Sequence, residues 1–283
     1  MQNKMTDKNM VLLFDVDGVI AETPHEEAWK SAAIEWGIIP QDFNFTKFYA
    51  SHVAGEPGIT GAINILEQLE SDGNPYLIKN SVNPEKKKEL AKRFRETKQK
   101  FVEEYIKEGK FKVFEDIYEI IISAKRNNIK LGVVSSSESA ESILKKIEID
   151  ENNIPAGNLL EVFDINALGA IGYWKGHPIQ KSHHYAMAYG KILEKISMEG
   201  NEGYSKNSNI GNVVVFEDAP KGIKAVKELG FYAIGISRKS ASGLELATKK
   251  ELYESGADFA IDEKELSSIG YEGIVKKIKL FIR

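Results

Sequence analysis

The chain has 283 residues, with 38 Lys+Arg against 42 Asp+Glu for a formal net charge of −4, and is 42% hydrophobic and 28% charged. That balance excludes collagen-like and disordered classes, and its mild acidity argues against a sequence-independent nucleic-acid binder, which needs a basic footprint. With no cysteine present, disulfides, thiolate nucleophiles and Cys-ligated zinc are excluded as well.

Met10 to Phe14 is a continuous apolar run that exits into Asp15-Val16-Asp17-Gly18, the pattern of a buried parallel strand with an acidic end. The run is too short for the core of a signal peptide, and no span is long enough to cross a bilayer. The expectation is a cytoplasmic protein with no membrane partner. A helix is predicted to start near Pro24, with Ala28, Ala32 and Trp36 on one face and Trp29 and Ala33 beside them. Residues 37–83 are broken by Gly and Pro, with a helical stretch around Ile63, Leu66 and Leu69. From Pro84 to Lys112, Leu90, Phe94, Thr97, Phe101 and Tyr105 mark one face of a long amphipathic helix. Its other face carries Lys86, Lys87, Lys88, Lys92, Arg93, Arg95, Lys98 and Lys100. Interleaved glutamates make this a solvated face rather than a polyanion site.

Beyond Gly109, strands and helices alternate. A helix at Val113–Asn127 leads to a strand at Ile129–Val134 that ends in Ser135-Ser136-Ser137. Helices follow at Ser139–Ile147 and Pro178–Ile196, then a strand at Asn212–Phe216 that ends in Glu217-Asp218. A helix at Lys221–Leu229, strands at Phe231–Ile236 and Ala257–Ile261 and a last helix at Gly270–Arg283 complete the order. The polar, Gly- and Asn-rich stretch 199–211 reads as an insertion loop. This alternation predicts an α/β fold, a Rossmann-like doubly wound parallel sheet with helices on both faces.

In such a sheet, ligands bind outside the carboxyl ends of the strands. Three predicted strands end in reactive or ligating residues: Asp15 and Asp17, Ser135, and Glu217 with Asp218. An Asp-x-Asp-Gly is often only a turn and a serine run only a cap. Four acids crowded at neighbouring strand ends, however, are costly without a cation. A Mg²⁺ ion suits a few carboxylates plus water and a substrate phosphate.

Phe14-Asp15-Val16-Asp17-Gly18-Val19-Ile20 resembles the first motif of the haloacid dehalogenase superfamily. Val133-Val134-Ser135-Ser136-Ser137 resembles its second, Lys175 its third, and Phe216-Glu217-Asp218-Ala219-Pro220-Lys221-Gly222 its fourth. The resemblance implies that Asp15 attacks phosphorus and forms an aspartyl-phosphate, with Asp17 as the acid and then the base. It implies that Asp15, the Asp17 carbonyl and Asp218 hold Mg²⁺, with Glu217 an outer or additional ligand, and that Ser135 and the Ser136 N–H hold the phosphoryl oxygens. The third motif departs from the family pattern. In Trp174-Lys175-Gly176-His177-Pro178, Lys175 is favoured as the phosphate-binding cation because it is permanently charged, with His177 and Lys181 as alternatives.

The same resemblance implies a core of residues 1–21 and 111–283 with a helical cap inserted at 22–110. His25-Glu26-Glu27-Ala28-Trp29 is similar to the β-phosphoglucomutase-like branch. His25 either orients Asp17 or substrate, or simply starts a helix. His183 and His184 lack metal-ligand spacing and read as helix surface. The loop Ala54–Ile59 lacks the arginine with which mutases hold a second phosphate, and Glu56 would repel one. The expected activity is therefore Mg²⁺-dependent hydrolysis of a small phosphorylated metabolite such as a sugar phosphate. The alternatives are a sugar phosphate mutase or a non-catalytic binding protein on the same fold. A metal-independent dehalogenase would leave the acidic pair unexplained.

Overall fold

A computed structural model describes residues 10–54, 56–80, 83–149, 154–168, 173–174, 177–178, 181–198, 213–240, 243, 245 and 247–281. Strands lie at Val11–Phe14 (β1), Ala21–Glu22 (β2), Lys112–Val113 (β3), Lys130–Ser135 (β4), Ile165–Leu168 (β5), Tyr173–Trp174 (β6), His177–Pro178 (β7), Val213–Glu217 (β8), Tyr232–Ser237 (β9) and Phe259–Asp262 (β10). The first five helices are His25–Glu35 (α1), Phe45–His52 (α2), Gly58–Ser71 (α3), Pro75–Asn80 (α4) and Pro84–Lys107 (α5). The rest are Glu115–Arg126 (α6), Ala140–Lys146 (α7), Leu159–Val162 (α8), Lys181–Met198 (α9), Pro220–Glu228 (α10), Lys249–Glu254 (α11) and Glu263–Phe281 (α12). The stretch 199–211, read as an insertion loop, lies outside the described residues.

The chain divides into two compact units: Met1–Glu22 with Lys112–Arg238 and Ala247–Arg283, and Thr23–Phe111 with Lys239–Leu246. In the first, six strands form a parallel sheet in the order β10-β9-β8-β1-β4-β5. Parallel neighbours need crossover connections, and the helices between the strands supply them. The apolar runs VLLF and VVVFE are wholly buried, as strands covered on both faces must be. Val11 and Leu13 join Tyr185 and Ile192 of α9 and Ile223 and Val226 of α10 in one core cluster. Leu12 and Phe14 point to the opposite face, where Phe14 stacks on Phe216 at 4.5 Å. A short antiparallel pair, β2 with β3, joins the points where the chain leaves and re-enters this unit.

The second unit is helical. Trp29, Phe45, Ile65, Leu69, Leu77 and Phe94 lie in its core, with Trp29 and Phe94 at 5.3 Å and Trp36 and Phe94 at 5.0 Å. α5 opens with Pro84 in its first turn, and Asn83 accepts the Lys86 N–H. Its inner face is rotated from the expected one. Leu90, Ala91, Phe94, Lys98, Val102 and Ile106 are buried, whereas Thr97, Phe101 and Tyr105 are half-buried. Lys98, assigned above to the solvated face, is 7% exposed. Its apolar stem lies inside while its ammonium reaches His25 Nδ1 at 3.1 Å and the Trp29 ring at 5.4 Å.

The last helix also differs from expectation. It begins at Glu263, where Asp262 accepts the Glu265 N–H at 3.0 Å. Gly270, expected to start it, is instead a break within it at φ 54 and ψ −163. Edge strand β5 and helix α11 carry too few residues to show a period in the sequence.

Candidate active site

The chain runs from β1 to β4 and β5 on one side, then returns to β8 on the other, so the strand order reverses at β1. That switch point is where an open parallel sheet offers a crevice at its carboxyl edge. Register fixes what emerges there. Phe14 pairs with Val133 of β4 and Phe216 of β8, so Asp15 and Glu217 leave neighbouring strands at one level. Ser135 ends β4 beside them. The Asp15 N–H donates to the Phe216 carbonyl at 3.1 Å, which holds the strand ends together past the last ladder pair.

Asp15, Glu217 and Asp218 each offer a carboxylate oxygen, and these atoms all lie within 4.8 Å of one another. Asp15 is 3% exposed and Glu217 0%, while Asp218 is half-buried. Two glycines make this packing possible. Gly18 sits at φ +77, and a Cβ there would lie 1.9 Å from Asp218 Oδ2. A Cβ on Gly222, in the first turn of α10, would lie 2.1 Å from the Glu217 carboxyl carbon. The turn after Asp15 is closed by backbone bonds from Ile20 and Ala21 to the Val16 carbonyl, with half-buried Asp17 inside it.

Glu217 is held at both oxygens. The Ala219 N–H donates to Oε1 at 3.2 Å, and the Tyr185 hydroxyl donates to Oε2. Burial pushes the Tyr185 phenol well above its usual range, and the carboxylates of Glu217 and Asp15 push it further the same way. Tyr185 thus stays a neutral donor. Sequence reasoning missed it; the available signal was the spacing Tyr185, Ala188, Ile192, which α9 turns toward the core. His184, expected on the helix surface, is 1% exposed; His183 is exposed.

Ser135 is buried and accepts the Ser137 N–H at 3.0 Å. α7 opens only at Ala140, so the Ser136 N–H stands in the preceding turn rather than in the helix. Lys175 lies outside the described residues, as do the side chains of His177 and Lys181. In the helical unit, His25 opens α1 and contacts Lys98. Arg95 of α5 runs along the start of α3, its Nε 3.1 Å from where a Cβ on Gly58 would be. An arginine therefore borders the loop whose own sequence has none.

The donor set fits a hard divalent cation: three carboxylates from two strand ends, two of them buried, with no sulfur or imidazole among them. Residues 10–230 match the haloacid dehalogenase-like hydrolase family. The chain belongs to that family. It is 24% identical over 261 residues to a phosphorylated carbohydrates phosphatase of Thermotoga maritima, spanning 91% of this chain and 96% of that protein. The structure is similar to an archaeal β-phosphoglucomutase from Pyrococcus sp. strain ST 04, with TM-score 0.66, 27% identity and coverage of 95% and 98% of the two chains. A β-phosphoglucomutase from Clostridium difficile shares the fold at TM-score 0.63 and 23% identity, over 96% and 98%. Among the described residues no helix is long and apolar enough to cross a membrane.

Proposed function

We propose that this hydrolase is a Mg²⁺-dependent phosphatase acting on a small phosphorylated metabolite such as a sugar phosphate. The observation that carries the reading is the convergence of Asp15 with Glu217 and Asp218, which lie 202 and 203 positions further along the chain, at one sheet edge. Three carboxylates so close repel one another. Asp15, Asp218, Glu217 and the Asp17 carbonyl would hold the cation, and when bound it would supply positive charge against the phosphoryl oxygens.

Asp15 attacks phosphorus and the bond to the leaving oxygen breaks, giving an aspartyl-phosphate. Asp17 donates its proton to that oxygen. It then takes a proton from water, which attacks phosphorus, releases inorganic phosphate and restores Asp15. Ser135 and the Ser136 N–H bind phosphoryl oxygens. Lys175 is the proposed further cation. The test is a panel of phosphorylated metabolites assayed for phosphate release with Mg²⁺. Activity that EDTA abolishes and excess Mg²⁺ restores is expected; turnover unaffected by EDTA overturns the metal role.

A second reading, a sugar phosphate mutase, is favoured by Arg95 beside Gly58. An arginine there can pair with a second phosphate bidentately, and two of the structural relatives carry the mutase name. With a sugar 1-phosphate and a bisphosphate activator, ³¹P NMR separates the two readings. Free phosphate supports the phosphatase, and a 6-phosphate that disappears in Arg95→Ala supports the mutase.

A further inference from the structure

We infer that Tyr185 is a positioning residue that sets the Glu217 carboxylate for a divalent cation shared with Asp15 and Asp218. The inference rests on the metal reading above and adds to it a residue from a helix that carries none of the proposed ligands. Tyr185 is wholly buried, one of the largest side chains in the core to be so. A buried hydroxyl is costly unless it is bonded, and this one is spent on a single acceptor, Glu217 Oε2.

Glu217 would otherwise be free to turn about its side-chain torsions. Three constraints remove that freedom: the Tyr185 hydroxyl at Oε2, the Ala219 N–H at Oε1, and the close floor of Gly222. The carboxylate plane is thereby fixed from both of its oxygens. A ligand oriented in advance loses less entropy on binding, which is why partners behind a metal ligand affect affinity as they do. The neighbouring Asp218 shows the contrast: it is half-buried and follows the strand, while Glu217 is 0% exposed within it. Of the adjacent acids, the one clamped by Tyr185 is the one with no access to solvent.

The test uses the full-length chain stripped of metal, titrated with Mg²⁺ alone and followed by calorimetry, so that no turnover is needed. Compared are wild type, Tyr185→Phe, Glu217→Gln and the double variant, with thermal melts of each metal-free protein. Tyr185→Phe is expected to weaken Mg²⁺ binding by about 10-fold, the range seen when a partner behind a metal ligand is removed. Glu217→Gln weakens it at least as much, and adding Tyr185→Phe to Glu217→Gln weakens it no further, because the hydroxyl acts only through Glu217. In turnover, the Mg²⁺ half-saturation of Tyr185→Phe rises while its rate at saturating Mg²⁺ stays within about three-fold of wild type. Affinity unchanged in Tyr185→Phe but weakened in Glu217→Gln overturns the role of Tyr185 and leaves the metal reading intact. A wild-type chain that binds no Mg²⁺ overturns both. Should Tyr185→Phe lower the metal-free melting temperature and weaken binding equally in the Glu217→Gln background, Tyr185 is a packing residue and the inference fails.

Discussion

At the carboxyl ends of β1 and β8 three carboxylates stand within 4.8 Å of one another, whereas in the helical unit the Lys98 ammonium is buried at His25 and over the Trp29 ring. Around Lys98 an imidazole nitrogen accepts a hydrogen bond, an aromatic face meets the charge, and the aliphatic stem packs like a methionine. The acids gather like charges instead, and Glu217 among them accepts from two donors with no net charge, the Ala219 N–H and the Tyr185 hydroxyl. A buried cation over an aromatic face reads as a packing solution. A buried cluster of one sign is costly to fold, and a bound cation offsets that cost.

The largest test of this contrast is at Asp15. Asp15→Asn is expected to lower phosphate release by about 10⁴-fold or more, as loss of a nucleophile does elsewhere. The protein should keep its fold by circular dichroism, and full activity would remove Asp15 from the mechanism. In the helical unit the dominant contribution is the apolar ring beneath the ammonium. Trp29→Ala, which opens a hole against Phe94, is expected to cost about 3–5 kcal/mol in urea denaturation.

Gly18→Ala forces a left-handed residue, at about 1–2 kcal/mol, and drives a methyl into Asp218. Displacing a ligand by that much should lower turnover by about 10²-fold. The stabilisation that Mg²⁺ gives in a thermal melt should fall with it. Least is expected of Lys98→Met: methionine keeps the packed stem, and the polar contacts given up are offset by the ammonium no longer needing desolvation, for a change of about 1 kcal/mol or less. A loss of several kcal/mol there would make Lys98 as consequential as the acid cluster and erase the distinction.

Much of this was legible in residue order. β1, β4 and β8 are apolar runs with no polar interruption, and each ends in the residues that reach the site. Such runs read reliably because a parallel strand covered on both faces tolerates little else. Partners recruited from distant helices were illegible. Tyr185 and His184 sit in a helix whose apolar positions are interspersed with polar ones, so which histidine faces inward depends on how α9 lies against β4 and β5. The rotated face of α5 has the same cause. The i, i+4 row Leu90, Phe94, Lys98, Val102, Ile106 is chosen by the packing of α1 and α3 against it, and no hydropathy pattern selects a lysine for an interior row.

Local chemistry along the chain was enough to determine the strand ends, their acids, the α/β alternation and the family, because these depend on neighbours within a few residues. Which atoms meet was decided by tertiary structure: Asp218 over Gly18, Tyr185 on Glu217, Arg95 along Gly58. Those encounters are set by strand register and helix rotation. Both result from packing the whole chain, so no short stretch of it encodes them.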